Sequence, residues 1–389
     1  MKPAVFKPIK YSKRVKTEEA LVNAEFVTHK FNNRPKPDKS KVLIICCFSE
    51  FGCEVIGSMH CIPRILQTLP GYYTIVVGWY GREYLYKHLV DEYWELKEDF
   101  QHLRDSVQAF GYTSKNLWKI ERELAEYGKV LPTGYMGNML VGNYCKNPKC
   151  RYILTSWAWV DCCPKCGEKE KFVHSLLSDH QFNKKFAVKP PYPSKDKLDW
   201  AREKVGKKAV GVFARGRKTY GRNLQPEFYE KLIGILESRG YKPVWLGEKQ
   251  SVQPCPSPHI YDFSQEPLAR DLETTMAIIA NCEFTVQFWT ASTRLAGMLG
   301  VPWLLFETPD QIYAKQEGVR QAVTTFGHKK LCLCDFKKVY DHNKAALNLF
   351  EQCVKEMEEG NFEDVIGMVD NEEALIGLRN NDFYNLRSE

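Results

Sequence analysis

The sequence predicts an α/β protein of two domains, each built around its own parallel β-sheet. Its 389 residues exceed the roughly 250–300 at which a single hydrophobic core usually stops growing. Two stretches, 41–80 and 209–307, alternate continuous apolar runs with helical patterns, which is typical of βαβ units. Closely spaced cysteines lie between the two stretches and predict a small inserted element.

The first stretch opens with residues 41–48, KVLIICCF, a pattern expected of a strand buried on both faces. Residues 49–54 follow as a loop, residues 55–69 have the apolar spacing of a helix, and residues 74–80 form the next predicted strand. The loop therefore lies at the carboxyl end of the first strand, where ligands of open α/β sheets bind. Residues 83–130 are dense in charge and are predicted to be largely helical.

The cysteines form two pairs, Cys145 with Cys150 and Cys163 with Cys166, and each pair lies on a short segment that contains Pro and Lys. This spacing is typical of a zinc ribbon, in which four thiolates bind one Zn²⁺ tetrahedrally. Cys162 could replace Cys163, but Cys163 gives the two-residue spacing. A closed four-cysteine site has no position for a substrate water, so a structural or partner-binding role is expected.

The second stretch predicts repeated strand–helix units and therefore a second parallel sheet. Its predicted strands are 209–214, 242–247, 283–288 and 301–307, and its predicted helices are 226–240, 271–282, 294–300 and 342–359. Pro226 early in one helix and Gly240 just after it are typical helix start and stop signals.

The predicted domain organisation follows from these patterns. It comprises a basic arm at 1–40, a first Rossmann-like domain at 41–143 with part of 167–190, a zinc ribbon at 144–167, a Pro- and Lys-rich linker at 189–197, a second Rossmann-like domain at 198–340, and a C-terminal helix and tail at 341–389. The arm is either a solvated tail or a contact for the phosphates of nucleic acid or anionic lipid.

Composition argues for a folded chain, with 44% hydrophobic and 26% charged residues. No run approaches the ~18 apolar residues of a membrane span, and no apolar segment follows the N-terminal charges. The fourteen cysteines, in a long chain without a recognisable signal peptide, fit a reducing compartment. We expect a cytoplasmic location, which for a viral protein is the host cytoplasm.

A basic loop follows the predicted strand 209–214, at the carboxyl end where ligands bind. Arginine chelates phosphate through paired N–H donors, so such a loop suits an anion, most simply a diphosphate. An exposed basic loop without a ligand is the alternative. The candidate residues are Arg215, Arg217, Lys218, Arg222 and Asn223.

Small hydroxyl residues follow the predicted strand 283–288, namely Thr290, Ser292 and Thr293. A helix that opens there would offer free backbone N–H groups and the positive end of its dipole to a phosphate. Ser and Thr are also ordinary N-caps, so this pattern by itself is of moderate specificity.

Together these segments resemble the C-terminal domain of the heptosyltransferase-like group of GT-B glycosyltransferases. The resemblance covers 209–307 and includes a basic loop, a Gly-rich turn, a helix opening Asp-Leu and a Leu-Gly-Val-Pro strand. The Glu50-Phe51-Gly52-x-Glu54 segment also resembles a motif of bacterial and viral proteins assigned as glycosyltransferases. The chain departs from the heptosyltransferases at Trp289–Ser292, where they have an acidic Asp-Ser-Gly turn, and in its cysteine insertion.

The resemblance implies a nucleotide-sugar donor, of which a UDP-sugar is the commonest case. It also implies a reaction that needs no catalytic metal. It assigns the diphosphate to the basic loop and to the amides of 290–293, and the ribose to Gly247 and Glu248. Glu54 is the first choice of base for the acceptor hydroxyl and Glu50 the second. Gly52 would allow close approach of the backbone to substrate.

The acceptor stays open between a glycan, or a lipid-linked sugar, and nucleic acid such as a hydroxylated base in phage DNA. A non-catalytic nucleic-acid-binding protein with a zinc ribbon is the alternative from a different functional class. A Rossmann dehydrogenase is disfavoured, because neither stretch has G-x-G-x-x-G after its first strand.

Overall fold

The structure is a computed structural model of the chain. It describes residues 38–48, 51–96, 120, 123–131, 143–145, 147, 149–150, 153–154, 162–163, 165–167, 172–173, 188–216, 224–288, 291–306 and 343–359. The chain divides into two compact units, Met1–Gln181 and Phe182–Glu389, which are described separately. None of the helices in the described part of the chain has both the length and the apolar composition of a membrane span.

The first unit contains a four-stranded parallel sheet, so the α/β prediction is confirmed here. Its strands are β1 (Val42–Cys47), β2 (Tyr73–Gly78), β3 (Glu92–Glu95) and β4 (Lys129–Leu131), and their order is β3-β2-β1-β4. All three strand pairs are parallel. Every residue of β1 is buried, as its continuous apolar run predicts for the central strand.

The segment after β1 is more helical than the sequence predicts. Helix α1 (Phe51–Cys53), a π-helical turn (Glu54–Ser58) and α2 (Met59–Thr68) follow one another directly. The predicted loop 49–54 is therefore wrong from Phe51 onward, because a single glycine at Gly52 is tolerated in a helical turn. Ser49 and Glu50 lie outside the described residues.

The prediction that 83–130 is largely helical is wrong for the described residues of that range. Only α3 (Glu83–Tyr86) and short pieces near 120–124 are helical, while β3 and β4 are strands. The charge in β3 does not point to solvent. Glu92 is buried and accepts hydrogen bonds from the Tyr73 hydroxyl at 2.7 Å and the Trp94 indole N–H at 2.8 Å.

The cysteine-rich insertion forms a three-stranded antiparallel sheet. Its strands are β5 (Asn143–Cys145), β6 (Ile153–Leu154) and β7 (Phe172–Val173), with β5 in the centre. Strand β7 lies beyond the predicted ribbon bounds 144–167, and the zinc ribbon itself stays a prediction, because a sheet does not test metal binding.

The second unit contains a five-stranded parallel sheet of order β10-β9-β8-β11-β12, which confirms the second parallel-sheet domain. Its strands are β8 (Ala209–Phe213), β9 (Lys242–Leu246), β10 (Tyr261–Asp262), β11 (Phe284–Phe288) and β12 (Trp303–Phe306). Its helices are α4 (Lys195–Val205), α5 (Pro226–Ser238), α6 (Leu272–Ala280), α7 (Ala291–Leu299) and α8 (Asn343–Glu358).

One face of this second sheet carries the core beneath α5 and α8. Phe228 of α5 and Phe350 of α8 are fully buried against the same cluster as Val212, Trp245 and Phe284. Burying one such large side chain stabilises the fold by about 1.5–3 kcal/mol. The sequence patterns of α5 and α8 therefore correctly predict the elements that cover this face.

Helix α4 is not predicted by the sequence, because its charged residues read as part of a linker. In the structure these residues form a helix, which packs on α6. Lys197 donates to the Asp271 carboxylate and to the Thr274 hydroxyl, both at 2.8 Å. The Asn281 amide donates to the backbone carbonyl of Leu198 at 3.2 Å. These polar contacts replace the apolar stripe by which an amphipathic helix is normally recognised.

Candidate functional site

The carboxyl edge of the second sheet, defined as the carboxyl ends of β8, β9 and β11, gathers the predicted ligand-binding segments. Strand β8 lies in the centre, with Phe213 paired to Leu246 of β9 on one side and to Gln287 of β11 on the other. The chain thus moves outward to β9 and β10 before it crosses back to β11. Open α/β sheets bind ligands at such a topological switch point.

Arg215 leaves β8 at this edge. Its backbone bridges to Val252, and the residue is 8% exposed. Its N–H donates to the Phe213 carbonyl at 3.1 Å, so the chain turns sharply as the strand ends. The other predicted members of the basic loop, Arg217, Lys218, Arg222 and Asn223, lie outside the described residues.

Gln253 ties the basic loop to the segment that follows β9. Its backbone N–H donates to the Ala214 carbonyl at 2.7 Å. Its side-chain amide donates to the carbonyls of Arg215 at 3.0 Å and Leu224 at 2.7 Å, one at each end of the loop. Its own carbonyl accepts from the Trp245 indole at 2.8 Å. The sequence carries no signal for this role of Gln253.

Two glycines allow these segments to approach each other. A Cβ on Gly216 would lie 2.7 Å from the Val252 carbonyl carbon and 2.8 Å from the Gln253 nitrogen. Gly247 has φ +137°, and a Cβ there would lie 3.1 Å from Cβ of Val252. Such a φ is readily adopted only by glycine. The backbone conformation and the close contact with Val252 therefore require glycine at both positions.

Glu248, the predicted ribose ligand, follows Gly247 at the same edge and is half-buried. Its carboxylate accepts from the Gln250 side-chain amide at 2.8 Å, and its carbonyl accepts from the Ser251 N–H at 2.7 Å. The residues after β9 thus form a closed turn next to Arg215.

Helix α7 begins at Ala291, three residues before the predicted start at 294, and follows β11 almost directly. Ser292 is buried, whereas Thr290 and the side chain of Thr293 lie outside the described part of the chain. Arg294 is 3% exposed, and this burial lowers its pKa to about 10. The N-terminus of a nine-residue helix therefore lies at the carboxyl edge of the second sheet, as the sequence predicts.

Gln287 in β11 is a second residue at this edge for which the sequence carries no signal. It is 1% exposed, and its side-chain N–H donates to the Thr285 hydroxyl at 3.2 Å. Its amide oxygen has no hydrogen-bond partner among the residues that the structure describes.

In the first unit, the structure surrounds Glu54 with protein. Its carboxylate is fully buried, accepts from the Tyr86 hydroxyl at 3.3 Å and lies 3.7 Å from Nε of Arg82. Burial, and then the nearby Cys47 and Glu54, raise the pKa of Tyr86 well above its usual value, so its phenol stays protonated. Gly52 is half-buried, and a Cβ there would lie more than 4 Å from every atom in the part of the chain that the structure describes.

Three of the four predicted metal ligands come together in the insertion. The sulfur atoms of Cys150, Cys163 and Cys166 all lie within 4.8 Å of one another, with Cys150 and Cys163 at 3.7 Å. The backbone of Cys145 ends β5, and its side chain lies outside the description. Cys162 is not a member of this cluster. Three converging thiols fit a soft divalent ion such as Zn²⁺.

The environment of Cys163 favours a thiolate. Burial alone would raise the pKa of its thiol, but hydrogen bonds from the backbone N–H groups of Cys166 and Lys165, and with the side chains of Cys166 and Cys150, lower it overall. Gly167 closes this turn with φ +72°, and its N–H donates to the Cys163 carbonyl at 2.8 Å. A lowered thiol pKa is the condition for metal ligation.

No protein-family model matches the sequence, and no curated protein matches it significantly. Among solved structures, the chain is similar to a family 9 glycosyl transferase from Veillonella parvula, at 12% identity and a TM-score of 0.47 over 84% of this chain and 99% of that chain. It is also similar to two E. coli proteins. The first is ADP-heptose LPS heptosyltransferase II, with an identity of 12% and a TM-score of 0.43 over 80% of this chain and 100% of that chain. The second is heptosyltransferase WaaC with ADP, with an identity of 13% and a TM-score of 0.38 over 82% of this chain and 98% of that chain.

Proposed function

We propose that the chain is a glycosyltransferase of the GT-B type that uses a nucleoside-diphosphate sugar, with the diphosphate bound at the carboxyl edge of the second sheet. One observation carries this proposal. The two segments whose residues suit a diphosphate leave β8 and β11, which are neighbouring strands at a topological switch point. A diphosphate at this edge would then meet two segments that lie about 75 positions apart in sequence.

The chemistry of that edge suits a departing diphosphate. Transfer breaks the bond between the anomeric carbon of the sugar and a diphosphate oxygen, so negative charge grows on the leaving group. Arg215 and the other cations of the basic loop would balance that charge, with the N-terminal amides of α7 as further donors. Glu248, after β9, would accept hydrogen bonds from the ribose hydroxyls. No metal is needed for these steps.

The reaction class is supported by the order of motifs along 209–307. A nucleotide-binding sheet alone would fit many enzymes. The chain, however, combines the basic loop after β8, the Gly247 turn after β9 and the Asp271-capped helix α6, and the resemblance to heptosyltransferase-like enzymes rests on this order. It also has no dinucleotide-binding glycine motif after β1 or β8.

The acceptor hydroxyl must lose its proton to a base as the new glycosidic bond forms. Glu50 is the carboxylate that we propose for this step, because Glu54 is fully buried and already contacts Tyr86 and Arg82. Glu50 itself lies outside the described residues. For the acceptor we favour a glycan hydroxyl, and a hydroxylated DNA base stays the alternative prediction.

Replacing Arg215 with alanine tests the donor site. We expect the affinity for the preferred nucleoside diphosphate to fall roughly tenfold to a hundredfold, the loss expected for a charge-assisted hydrogen bond. The measurement is a thermal-shift panel of ADP, UDP, GDP and CDP on the wild type, followed by calorimetric titration of the best ligand. Arg215→Lys should retain part of the affinity, because it keeps the charge but loses the paired donors.

The matched control is Arg202→Ala on helix α4, where the arginine side chain is 68% exposed and contacts only Asp199 among the contacts observed. This variant should bind as tightly as the wild type. Equal affinities for Arg215→Ala and Arg202→Ala would contradict the assigned position of the diphosphate. Absence of binding to all four nucleotides by a folded wild type would contradict the nucleotide-sugar proposal as a whole.

For the insertion we propose a structural Zn²⁺ held by Cys145, Cys150, Cys163 and Cys166. The bound ion would link the two cysteine turns and so stabilise a sheet whose strands have only two or three residues each. Four protein ligands leave no open position, and no catalytic step is assigned to the ion.

Cys166→Ser is expected to lower the zinc content of the purified protein from one equivalent to well below half, measured by elemental analysis after dialysis. Cys162→Ser is the matched control, because Cys162 lies next to Cys163 but outside the thiol cluster, and it should keep the full equivalent. Zinc retained by Cys166→Ser and lost by Cys162→Ser would show that the ligands have been misassigned.

A further inference from the structure

A buried charged pair lies at the carboxyl edge of the first sheet, defined as the carboxyl ends of β1, β2 and β3. Glu54 is fully buried, Arg82 is 4% exposed, and Nε of Arg82 lies 3.7 Å from the Glu54 carboxylate. Removing two charges from water is costly, so such a pair is kept only where its geometry is well supported. The surroundings of both residues supply that support.

Arg82 is held firmly by the turn that follows β2. Its N–H donates to the Trp79 carbonyl at 3.2 Å, and the same carbonyl accepts from the Tyr93 hydroxyl at 2.8 Å. The N–H of Gly81, one residue earlier, donates to the Glu95 carboxylate at 3.0 Å. Residues of β3 thus fix the backbone from which Arg82 projects.

The far side of the pair reaches the helical turn after β1. The guanidinium carbon of Arg82 lies 3.6 Å from the centre of the Phe51 ring, a close cation–π contact. Glu54 lies three residues further along the same turn and receives the Tyr86 hydroxyl. Arg82 therefore contacts both Phe51 and Glu54, on either side of Gly52.

Gly52 is a helical glycine that its own surroundings do not require. A Cβ there would meet no atom of the described residues within 4 Å, and its φ is not in the left-handed region. Glycine in a helix is less favourable than alanine, so a glycine that no described neighbour requires is a feature that close approach of a ligand to the backbone would explain. Strand β1, which precedes this turn, has β2 on one side and β4 on the other, which makes the turn the switch-point position of the first sheet.

We infer that Glu54 and Arg82 act as a positioning pair, which holds the Phe51–Gly52 turn in place for a ligand at the carboxyl edge of the first sheet. Glu54 is then not a catalytic base, since a base must reach the proton it removes. The statement that this ligand is the sugar acceptor rests on the proposed glycosyltransferase function. The positioning of the turn by the pair does not depend on that function.

Hydrogen exchange of the peptide 51–58 tests the positioning directly. Glu54→Gln and Arg82→Met each remove one charge of the pair and leave the other charge buried, and each should raise the exchange of this peptide about tenfold. The double variant lacks the pair altogether and should exchange about as fast as either single variant, because all three changes remove the same contact. Lys39→Met, an exposed lysine before β1, is the control and should change nothing. Unchanged exchange in both folded single variants would overturn the inference.

The rate of nucleotide-sugar hydrolysis or transfer separates positioning from base catalysis. If Glu54 acts by positioning the turn, Glu54→Gln, Arg82→Met and the double variant should lose activity to a similar extent, because each removes the same pair. If Glu54 is the base, Glu54→Gln should lower the rate far more than Arg82→Met does, which would overturn the inference. A wild type that binds no nucleotide sugar would contradict the proposed function, while the exchange experiment still decides on the pair.

Discussion

Gln253→Ala is expected to destabilise the second unit by about 2–4 kcal/mol, because two buried backbone carbonyls lose their donor together. The Gln253 amide donates to the carbonyls of Arg215 and Leu224, which are 8% and 2% exposed. Because both residues are buried, water does not readily replace the lost donor, and the two carbonyls stay desolvated without a hydrogen bond. Urea unfolding followed by circular dichroism measures the loss.

The same variant should also weaken nucleoside-diphosphate binding by at least about tenfold, because Gln253 joins both ends of the basic loop. Gln250→Ala is a matched control in the same segment. Its side chain is exposed and donates only to the Glu248 carboxylate among the contacts observed, so stability should change by less than about 0.5 kcal/mol. Equal stability of the two variants would show that the loop is not held by Gln253.

The sequence predicts the strands at the centre of both sheets well, for a physical reason. Strands β1 and β8 lie in the interior of their sheets, so each appears as a short continuous apolar run, the pattern of a strand buried on both faces. Helix ends are also predicted well where a single residue determines the backbone conformation. Asp271 caps α6 by accepting from the Glu273 N–H, and Gly240, with φ +77°, follows α5.

The outer strands of the first sheet were missed because their polar residues are satisfied by distant partners. Glu92 is buried in β3, where it accepts from the Trp94 indole N–H and from the Tyr73 hydroxyl, which lies 19 residues away. Neither Glu92 nor Tyr73 shows this contact in its local pattern. A buried carboxylate cannot be told from an exposed one in the sequence, so the charged range 83–130 is predicted to be largely helical and its strands are not predicted.

At the candidate site, the sequence predicts the segments but not the long-range contacts that fix their positions. Arg215 and Ser292 belong to motifs that local residue types reveal. Gln253 is 38 residues from Arg215, and Arg82 is 28 residues from Glu54, so both contacts depend on strand order. The predicted base shows the same limit: residue type and position favoured Glu54, and only the fold shows that protein surrounds it.

Gly216→Ala is the second variant for which we expect a large effect. Its new Cβ would lie 2.7 Å from the carbonyl carbon of Val252 and 2.8 Å from both the Val252 oxygen and the Gln253 nitrogen. These are backbone atoms, held by the bond from the Gly216 N–H to the Ser251 carbonyl at 2.9 Å and by that from Gln253 to Ala214. The loop must shift, at a cost of about 1–3 kcal/mol.

Gly234→Ala provides the matched control, because the same methyl group is added in the same unit with the opposite expected sign. Gly234 lies exposed within α5, and among the described residues no atom lies within 4 Å of where its Cβ would be. Alanine should therefore stabilise the unit by about 0.5–1 kcal/mol through its higher helix propensity. A difference between the two variants isolates the contact with Val252 from any general effect of replacing glycine.

Donor binding by Gly216→Ala then tells whether the close approach serves the ligand or only the fold. Gly216 directly follows Arg215, so a shifted backbone would displace Arg215 from the diphosphate position that we propose. We expect nucleoside-diphosphate affinity, measured below the unfolding temperature, to fall at least about tenfold while Gly234→Ala binds normally. If Gly216→Ala loses stability but keeps its affinity, the contact between the loop and Val252 is structural, and the diphosphate lies elsewhere along the carboxyl edge.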